Sequence, residues 1–394
     1  MVNVITIASL FPNPEQTRHG TFVEERLRHL AATGRFNVRV IAPVPWFPFR
    51  ARAFGLYGAY ARVPAVEERQ GRRIEHPRFL AIPKVGMSIA PFLYAASIAP
   101  VVRRVRRSLT GPVVLDGHFL YPDGVATALL ARVLGIPYIL TARGQDVTLF
   151  PEYRIPRGLI RRACRGAARV VTVSEALRQL LIGLDVPAER VVTLRNGVDL
   201  EKFRPGDRAR ARADAGFGRP TLLSVGHLIE RKDHEFTIRA LPQVPGVDLV
   251  IVGEGPLRER LLALAAELGV ADRVRILPNV LQDRLVTYYT AATLSVLTSR
   301  HEGMPNVVLE SLGCGTPVVA TVVEGVPELL DDPAAGLLVR ERTPAALAAG
   351  INQVLANLPS PERTRAHAAG LGWGPTIAGL AGVLEDAAAL HTAA

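Results

Sequence analysis

The chain has 394 residues, 48% of them apolar, a formal charge of +11 at pH 7 and two cysteines. That length calls for more than one domain at roughly 100–200 residues each, and the apolar content supplies a core and excludes global disorder. The excess of cations suits an anionic partner, whether nucleotide phosphate, an acidic membrane face or nucleic acid, without choosing among them.

The chain begins V-N-V-I-T-I-A-S, which reads as a strand rather than as the charged start and apolar run of a signal peptide. With Cys164 and Cys314 as the only cysteines, a reduced, cytoplasmic location is expected. Apolar β-rich runs at 4–8, 38–42, 113–115, 138–141, 170–173 and 191–194 alternate with helical patterns at 21–32, 91–109, 123–134, 157–168 and 175–181. Such alternation predicts a parallel sheet covered on both faces. Residues 199–220, rich in Arg, Gly and Ala, have no comparable apolar run and read as a linker.

A second series follows, with strands at 221–225, 249–252, 274–277, 293–297, 318–320 and 337–339 and helices such as 234–241 and 257–268. The predicted fold is α/β, with two tandem Rossmann-like, doubly wound domains over 1–198 and 221–375 and a terminal helix over 376–394 that is a candidate to return to the first domain. Domains of this kind hold ligands at the carboxyl ends of their strands, and two of them facing each other across a cleft offer a site for a small molecule.

Two stretches of the first half point toward a surface. Residues 85–102 carry no charge and then meet Arg103, Arg104, Arg106 and Arg107, but Pro91 and Pro100 interrupt them. A packed surface helix or a basic interfacial helix fits better than a membrane span. Residues 43–60 interleave aromatic side chains with Arg, and Trp46 and Phe47 there are candidates to line an acceptor pocket, to dip into an interface, or simply to pack under a long loop. Weak peripheral contact with an anionic membrane is expected.

The most informative segment is H-E-G-M-P-N-V-V-L-E at 301–310. It joins a strand-like run to helix-compatible residues, with Asn306 at a plausible N-cap. Gly303 permits close backbone approach, and the N–H groups around Val307 and Val308 form an anion site at the helix start. Glu302 and Glu310 then flank amide donors, which suits a nucleotide sugar with hydroxyls at both ends and phosphates between. Two surface carboxylates are the competing reading. Earlier, L-L-S-V-G-H-L-I-E-R-K-D-H places Gly226 at a strand end before His227, Arg231 and Lys232. Arg offers a fork and Lys a compact charge for a diphosphate, although a surface pair is equally compatible. V-I-V-G-E-G-P-L adds Gly253 and Gly255 for a tight turn and Pro256 for a helix start.

In order, S-V-G-H-L-I-E-R-K, L-V-I-V-G-E-G-P-L, E-G-M-P-N-V-V-L-E-S-L-G-C-G-T-P-V-V-A and G-V-P-E-L-L, with R-N-G-V-D-L-E-K-F at the domain boundary, resemble the family 4 glycosyltransferases. These are retaining enzymes of the GT-B fold that use nucleotide-sugar donors. The likeness spans nearly the whole chain. S-L-F-P-N and H-G-T-F-V-E-E-R-L are similar to members acting on cell-surface or exported polysaccharides and glycolipids.

The resemblance implies that Glu302 holds donor-sugar hydroxyls, that Glu310 holds the ribose hydroxyls and that Lys232 contacts the diphosphate. His227 stands where an arginine is usual, leaving Arg231 to compensate, and Asp233 stands where a glycine is usual, so its charge must point away from the phosphates. Backbone groups near Asn279 and Val280 match the nucleobase contact, and Gly226, Met304, Pro305, Asn306 and Val307 complete the donor set. In the first domain, Gly20 and Thr21 match a phosphate-facing loop in which His19 replaces a second glycine. His118 in V-L-D-G-H matches a histidine that positions the donor sugar. Asp146 in A-R-G-Q-D-V matches a loop lining the acceptor side, or serves an ordinary turn.

His118, Lys232 and Glu302 are thus the candidate catalytic residues. No aspartate pair with metal-like spacing stands beside the motifs, so neither a metal nor a cofactor is required. The expected partners are a nucleotide-diphosphate sugar, a glycan or lipid-linked acceptor and an anionic membrane surface; no nucleic-acid module is recognisable. A GT-B-fold nucleotide-sugar epimerase and a non-catalytic nucleotide-sugar-binding protein are the alternative readings.

Overall fold

Runs of β-branched residues buried on both faces build two parallel sheets, each in its own part of the chain. The structure, a computed structural model, describes residues 1–81 and 86–392. It divides into two compact units, Met1–Arg195 with Gly374–Ala394, and Asn196–Trp373.

In the first unit the strands are β1 (Val2–Ile7), β2 (Phe36–Ile41), β3 (Val44–Pro45), β4 (Val66–Arg69), β5 (Arg72–Glu75), β6 (Arg78–Phe79), β7 (Val113–His118), β8 (Tyr138–Ala142), β9 (Arg169–Thr172) and β10 (Val191–Thr193). Eight of them form one sheet in the order β10-β9-β8-β7-β1-β2-β5-β4, while β3 pairs with β6. Only the β4–β5 hairpin in the eight-stranded sheet is antiparallel. Ile5, Ile7, Val113 and Leu115 pack against Tyr94, Ile98 and Val102 of the helix Ala90–Arg107 and against Ala126 and Leu130 of the helix Val125–Leu134.

The uncharged stretch before Arg103 is therefore a packed helix, although Val85 lies outside the described residues. Among the described residues no helix is long and apolar enough to cross a membrane. The hairpin β4–β5 lacks the apolar runs that mark the other strands, reading V-E-E-R and R-R-I-E. Its turn residues, Gln70 and Gly71, both have positive φ (50° and 71°), the geometry that tight two-residue hairpins favour.

The second unit holds β11 (Thr221–Val225), β12 (Asp248–Val252), β13 (Val274–Leu277), β14 (Leu294–Leu297), β15 (Val318–Thr321) and β16 (Gly336–Val339) in the order β13-β12-β11-β14-β15-β16, all parallel. Residues 199–220, expected as a linker, fold with this unit. Their helix Arg208–Ala215 has its N-cap Asp207 accepting from Arg210 N, and Arg208 and Arg212 donate to the carbonyls of Ala292 and Ala291. Short, with Arg and Ala alternating and no large apolar side chain, this helix is held by its cap and its arginines rather than by a greasy face.

The last helix, Trp373–Thr392, runs with the first unit from Gly374 onward. Thr376 Oγ1 donates to Arg195 O at 2.6 Å, and Arg35 pairs with Glu385. Strand order reverses between β1 and β7 in one unit and between β11 and β14 in the other. At such switch points adjacent loops diverge and leave a crevice at the carboxyl ends of the strands.

Candidate functional site

In the second unit, β11 and β14 lie side by side, so the loops that follow them meet at the switch point. Gly226 follows β11, and the aliphatic stem of Lys232 crosses it closely, since a Cβ at Gly226 would stand 3.3 Å from Lys232 Cδ. Gly253, at the end of β12, lies even tighter: a Cβ there would come within 1.9 Å of the Gly226 carbonyl. Glycine at both positions lets the loop fold back and present Lys232.

Lys232 Nζ donates to Glu302 Oε1, Ser299 Oγ donates to the same oxygen at 2.7 Å, and Arg231 Nη1 stands 3.6 Å from Glu302 Oε2. Glu302 is only 8% exposed. Burial pushes its carboxyl up, but Lys232, Arg231 and the Ser299 hydroxyl outweigh that and hold it below the usual carboxylate range. The result is a buried anion set among cations, a polar cluster that can accept hydroxyl donors and face a phosphate.

Asp233 resolves the substitution of the usual glycine. Its backbone has φ 48° and ψ 48°, the left-handed region that Asp tolerates better than most residues. Its carboxylate accepts from Arg300 Nε at 3.0 Å and Arg342 Nη2 at 2.8 Å. The negative charge is thereby neutralised within the protein. His227 is exposed on the loop.

Glu302 is followed by buried Gly303, Met304 and Pro305. The helix then runs Asn306–Gly313 with Pro305, not Asn306, in the cap position. Asn306 is the first helical residue, and its Oδ1 accepts from Asn196 Nδ2 at 3.0 Å. Of the two N–H groups expected to be free, that of Val308 donates to Pro305 O at 3.1 Å, leaving Val307 as the candidate donor. Glu310, one helical turn after Asn306, accepts from the Tyr289 hydroxyl at 2.9 Å. Thus Lys232, Arg231 and Glu302 form one cluster, whereas Glu310 is fixed by Tyr289. Val280 is half-buried in the loop after β13, two strands from β11 at the same end of the sheet.

Ser299, Glu324, Arg342 and Tyr289 were not singled out from the sequence. Glu324 receives Glu302 N at 2.7 Å and contacts His301 Nδ1 at 2.8 Å, so it sets the backbone that carries Glu302. V-E-G-V-P-E around Glu324 is the signal that points to it, since it follows β15 at the same sheet end.

In the first unit, Gly20 caps the helix Thr21–Ala32 with φ 75°. A Cβ there would stand 2.2 Å from the Leu10 carbonyl, so only glycine lets the loop after β1 close onto the helix start. Asp123 clasps that loop to the one after β7: it accepts Ser9 N at 2.6 Å, Ser9 Oγ at 3.0 Å and the Tyr94 hydroxyl at 2.8 Å. Burial nevertheless raises its pKa to about 6, against the pull of those donors.

His118 ends β7 and is 0% exposed. Its Nε2 lies 2.8 Å from Asp116 Oδ2 and its Nδ1 2.9 Å from Arg143 Nη2. Arg can only donate and Asp only accept, so the ring is neutral with its proton on Nε2. Burial lowers its pKa to about 4 even though Asp116 opposes the shift. With both nitrogens held, His118 orients its surroundings in this arrangement.

Asp146 is likewise 0% exposed. Its oxygens accept from the backbone N–H groups of Leu120 at 2.9 Å, Arg143 at 3.0 Å and Gly144 at 2.7 Å. A carboxylate so enclosed braces two loops, and the ordinary-turn reading fits it, not contact with an acceptor hydroxyl. Trp46 is 52% exposed beside Phe47, which sits within ring-contact distance of Phe49, Phe54 and Tyr57.

Comparison with known proteins places the chain in a family. The family description Glycosyltransferase Family 4 matches residues 19–202, and Glycosyl transferases group 1 matches residues 207–370. D-inositol 3-phosphate glycosyltransferase 1 of Catenulispora acidiphila is 31% identical over 93% of this chain and 90% of its own length. The D-inositol 3-phosphate glycosyltransferase of Frankia alni is 33% identical over 68% of this chain and 72% of that protein. The corresponding Acidothermus cellulolyticus protein is 39% identical, with 57% of this chain covering little more than half (56%) of its length.

Among solved structures, sucrose-phosphate synthase from Thermosynechococcus elongatus superposes with a TM-score of 0.80 at 19% identity over 100% of both chains. Anabaena HepE in complex with UDP and glucose gives 0.72 at 18% identity over 98% of this chain and 99% of its own. At these identities the structural likeness is one of fold alone, and that fold is GT-B. The chain belongs to the family 4, group 1 glycosyltransferases. Its class of enzyme is therefore a glycosyltransferase.

Proposed function

We propose that the protein moves a sugar, with retained anomeric configuration, from a nucleotide-diphosphate sugar to an acceptor hydroxyl. The observation that carries this reading is the buried Glu302 carboxylate beside Lys232 and Arg231 at the switch point of the second unit. Glu302 accepts donor-sugar hydroxyls, Glu310 accepts the ribose hydroxyls, and Lys232 and Arg231, with His227 and the Val307 N–H, face the diphosphate.

The anomeric C–O bond to phosphate breaks and its electron pair leaves with the nucleoside diphosphate. The acceptor oxygen bonds to the anomeric carbon on the face being vacated, and its proton passes to a diphosphate oxygen. Negative charge grows on that diphosphate, so cations placed there favour the transition state over the ground state. Each charge-assisted contact contributes about 1.5–3 kcal/mol. Protein side chains carry this task in the proposal, and activity is expected to survive a chelator. Within the first unit, Gly20 and Thr21 stand at a helix start, and His118 holds Arg143 and Asp116 in register.

The names of the relatives support a polyol phosphate such as D-inositol 3-phosphate as the first acceptor to test, ahead of glycans and lipid-linked hydroxyls. The deciding experiment screens nucleotide sugars, UDP-sugars first, for release of nucleoside diphosphate with and without each acceptor. Acceptor-dependent release with a retained linkage is expected. An epimerase would release none in steady turnover, and a non-catalytic binder would retain the donor unchanged.

The half-exposed aromatic group around Phe47, Phe49 and Phe54, with Arg50 and Arg52 beside it, favours a peripheral contact with anionic membrane. Liposome flotation that does not respond to anionic lipid would remove it.

A further inference from the structure

The first unit contains a cavity at the amino-terminal ends of its strands, and so at the opposite end of the sheet from Gly20 and His118. Its volume is about 700 Å³, within the range of roughly 300–1,000 Å³ that small-molecule sites occupy. The helices Val125–Leu134 and Arg154–Gly166 wall it, together with the turns that lead into β8 and β9. Ala128, Leu129, Ile136, Leu159 and the Tyr138 ring give it an apolar surface. Gly166 shapes that wall: a Cβ there would stand 2.6 Å from the Tyr138 hydroxyl, which instead donates to Ala163 O at 2.8 Å.

The charges around the cavity are of one sign. Arg132, Arg162 and Arg165 belong to its lining and are exposed. None of the three guanidinium groups makes a hydrogen bond or ion pair among the described residues. Arg190, which also lines the cavity, is engaged by the Ala167 carbonyl at 2.7 Å. Among the described residues no acidic side chain lines the space. An apolar pocket of this kind, edged by unpaired guanidinium groups, complements a molecule with a hydrocarbon body and an anionic end.

We propose that this cavity binds a fatty carboxylate: one alkyl chain lying along Ala128, Leu129, Ile136, Leu159 and Tyr138, with its carboxylate against Arg162 and Arg165. The site shares no residue with the transfer machinery.

The test titrates the intact protein with alkyl carboxylates of eight to fourteen carbons, below their micelle concentrations, by calorimetry. Affinity is expected to rise by roughly fourfold per methylene until the cavity is filled. A trimethylammonium amphiphile of equal chain length should bind at least tenfold more weakly. Ala128→Trp, which fills the cavity, should reduce carboxylate affinity at least tenfold while donor turnover and thermal midpoint stay unchanged. The exposed pair Arg162→Glu/Arg165→Glu should reverse the preference for charge, and it decides the question should Ala128→Trp fail to fold. Equal affinity for both head-group charges, no dependence on chain length, or binding to vesicles and micelles but not to monomers would each overturn the proposal.

Discussion

Replacing Lys232 with Met takes the cation away from a carboxylate that is 8% exposed, and the loss divides between stability and turnover in a way that a second substitution separates. Breaking a buried ion pair by removing one partner costs about 3–5 kcal/mol when the remaining charge is stranded. Here Ser299 Oγ stays at 2.7 Å from Glu302 and Arg231 at 3.6 Å. The expected loss is therefore smaller, about 2–3 kcal/mol. Glu302→Gln removes the stranded charge, so the double variant should regain roughly 1–2 kcal/mol of it as coupling energy.

Turnover should not follow that recovery. Without Lys232 the growing diphosphate charge loses one contact of about 1.5–3 kcal/mol, which corresponds to roughly 10–150-fold in rate. In the proposed mechanism the double variant also replaces the charged, two-oxygen acceptor of the donor-sugar hydroxyls with a neutral amide that has one acceptor oxygen. Urea unfolding at pH 7, with the slope checked between variants, measures the first quantity, and release of nucleoside diphosphate measures the second. Equal instability of the single and double variants, or activity restored in the double, would refute the argument.

Gly20→Ala places a methyl 2.2 Å from the Leu10 carbonyl at φ 75°. Strain of about 1–2 kcal/mol from the left-handed backbone alone, plus the clash, should lower the thermal midpoint and cut turnover at least tenfold; an unchanged enzyme would remove the close-approach role. Asp146→Asn should cost about 1–3 kcal/mol of stability with the acceptor KM unchanged, whereas a shift in KM at full stability would return Asp146 to the acceptor side. The pH dependence has a definite sign. Burial lowers His118 and His234 from 6.5 to about 4, so the unfolded chain takes up these protons first, and the stability present above pH 6.5 is lost as pH falls toward 4. Asp123, raised from 3.8 to about 6, opposes this over its own window, where stability grows as pH falls from 6 to 3.8. Unfolding midpoints between pH 7 and 5 should therefore decline, and Asp123→Asn should steepen the decline; a rise on acidification in the wild type contradicts the assignment.

The central strands of both sheets were legible because they are buried on both faces, so V-V-L-D-G-H and D-L-V-I-V read as apolar runs. The helix Thr21–Ala32 was equally clear from its period and its leading glycine. The edge hairpin β4–β5 was not, since its charged residues satisfy no alternating pattern and its pairing rests on the Gln70–Gly71 turn. Within the site, sequence separation limited what could be read. Glu302 and Lys232 belong to recognisable segments, but Arg342 meets Asp233 across 109 positions and no local spacing announces such a partner. His118 was legible as a residue at a strand end, yet its enclosure between Asp116 and Arg143 follows from tertiary packing alone.

Asp233 gives the lysine loop a stiffness that a glycine would not. Its left-handed backbone is fastened through its carboxylate to Arg300 and Arg342, and its carbonyl accepts the Thr298 hydroxyl at 2.9 Å. The ordering entropy that a flexible phosphate loop loses when its ligand arrives is here lost during folding instead. With Lys232 in the role proposed for it, the enzyme should meet its donor with that side chain already aimed, and replacing Asp233 with Gly should loosen the grip on donor before it slows the chemical step.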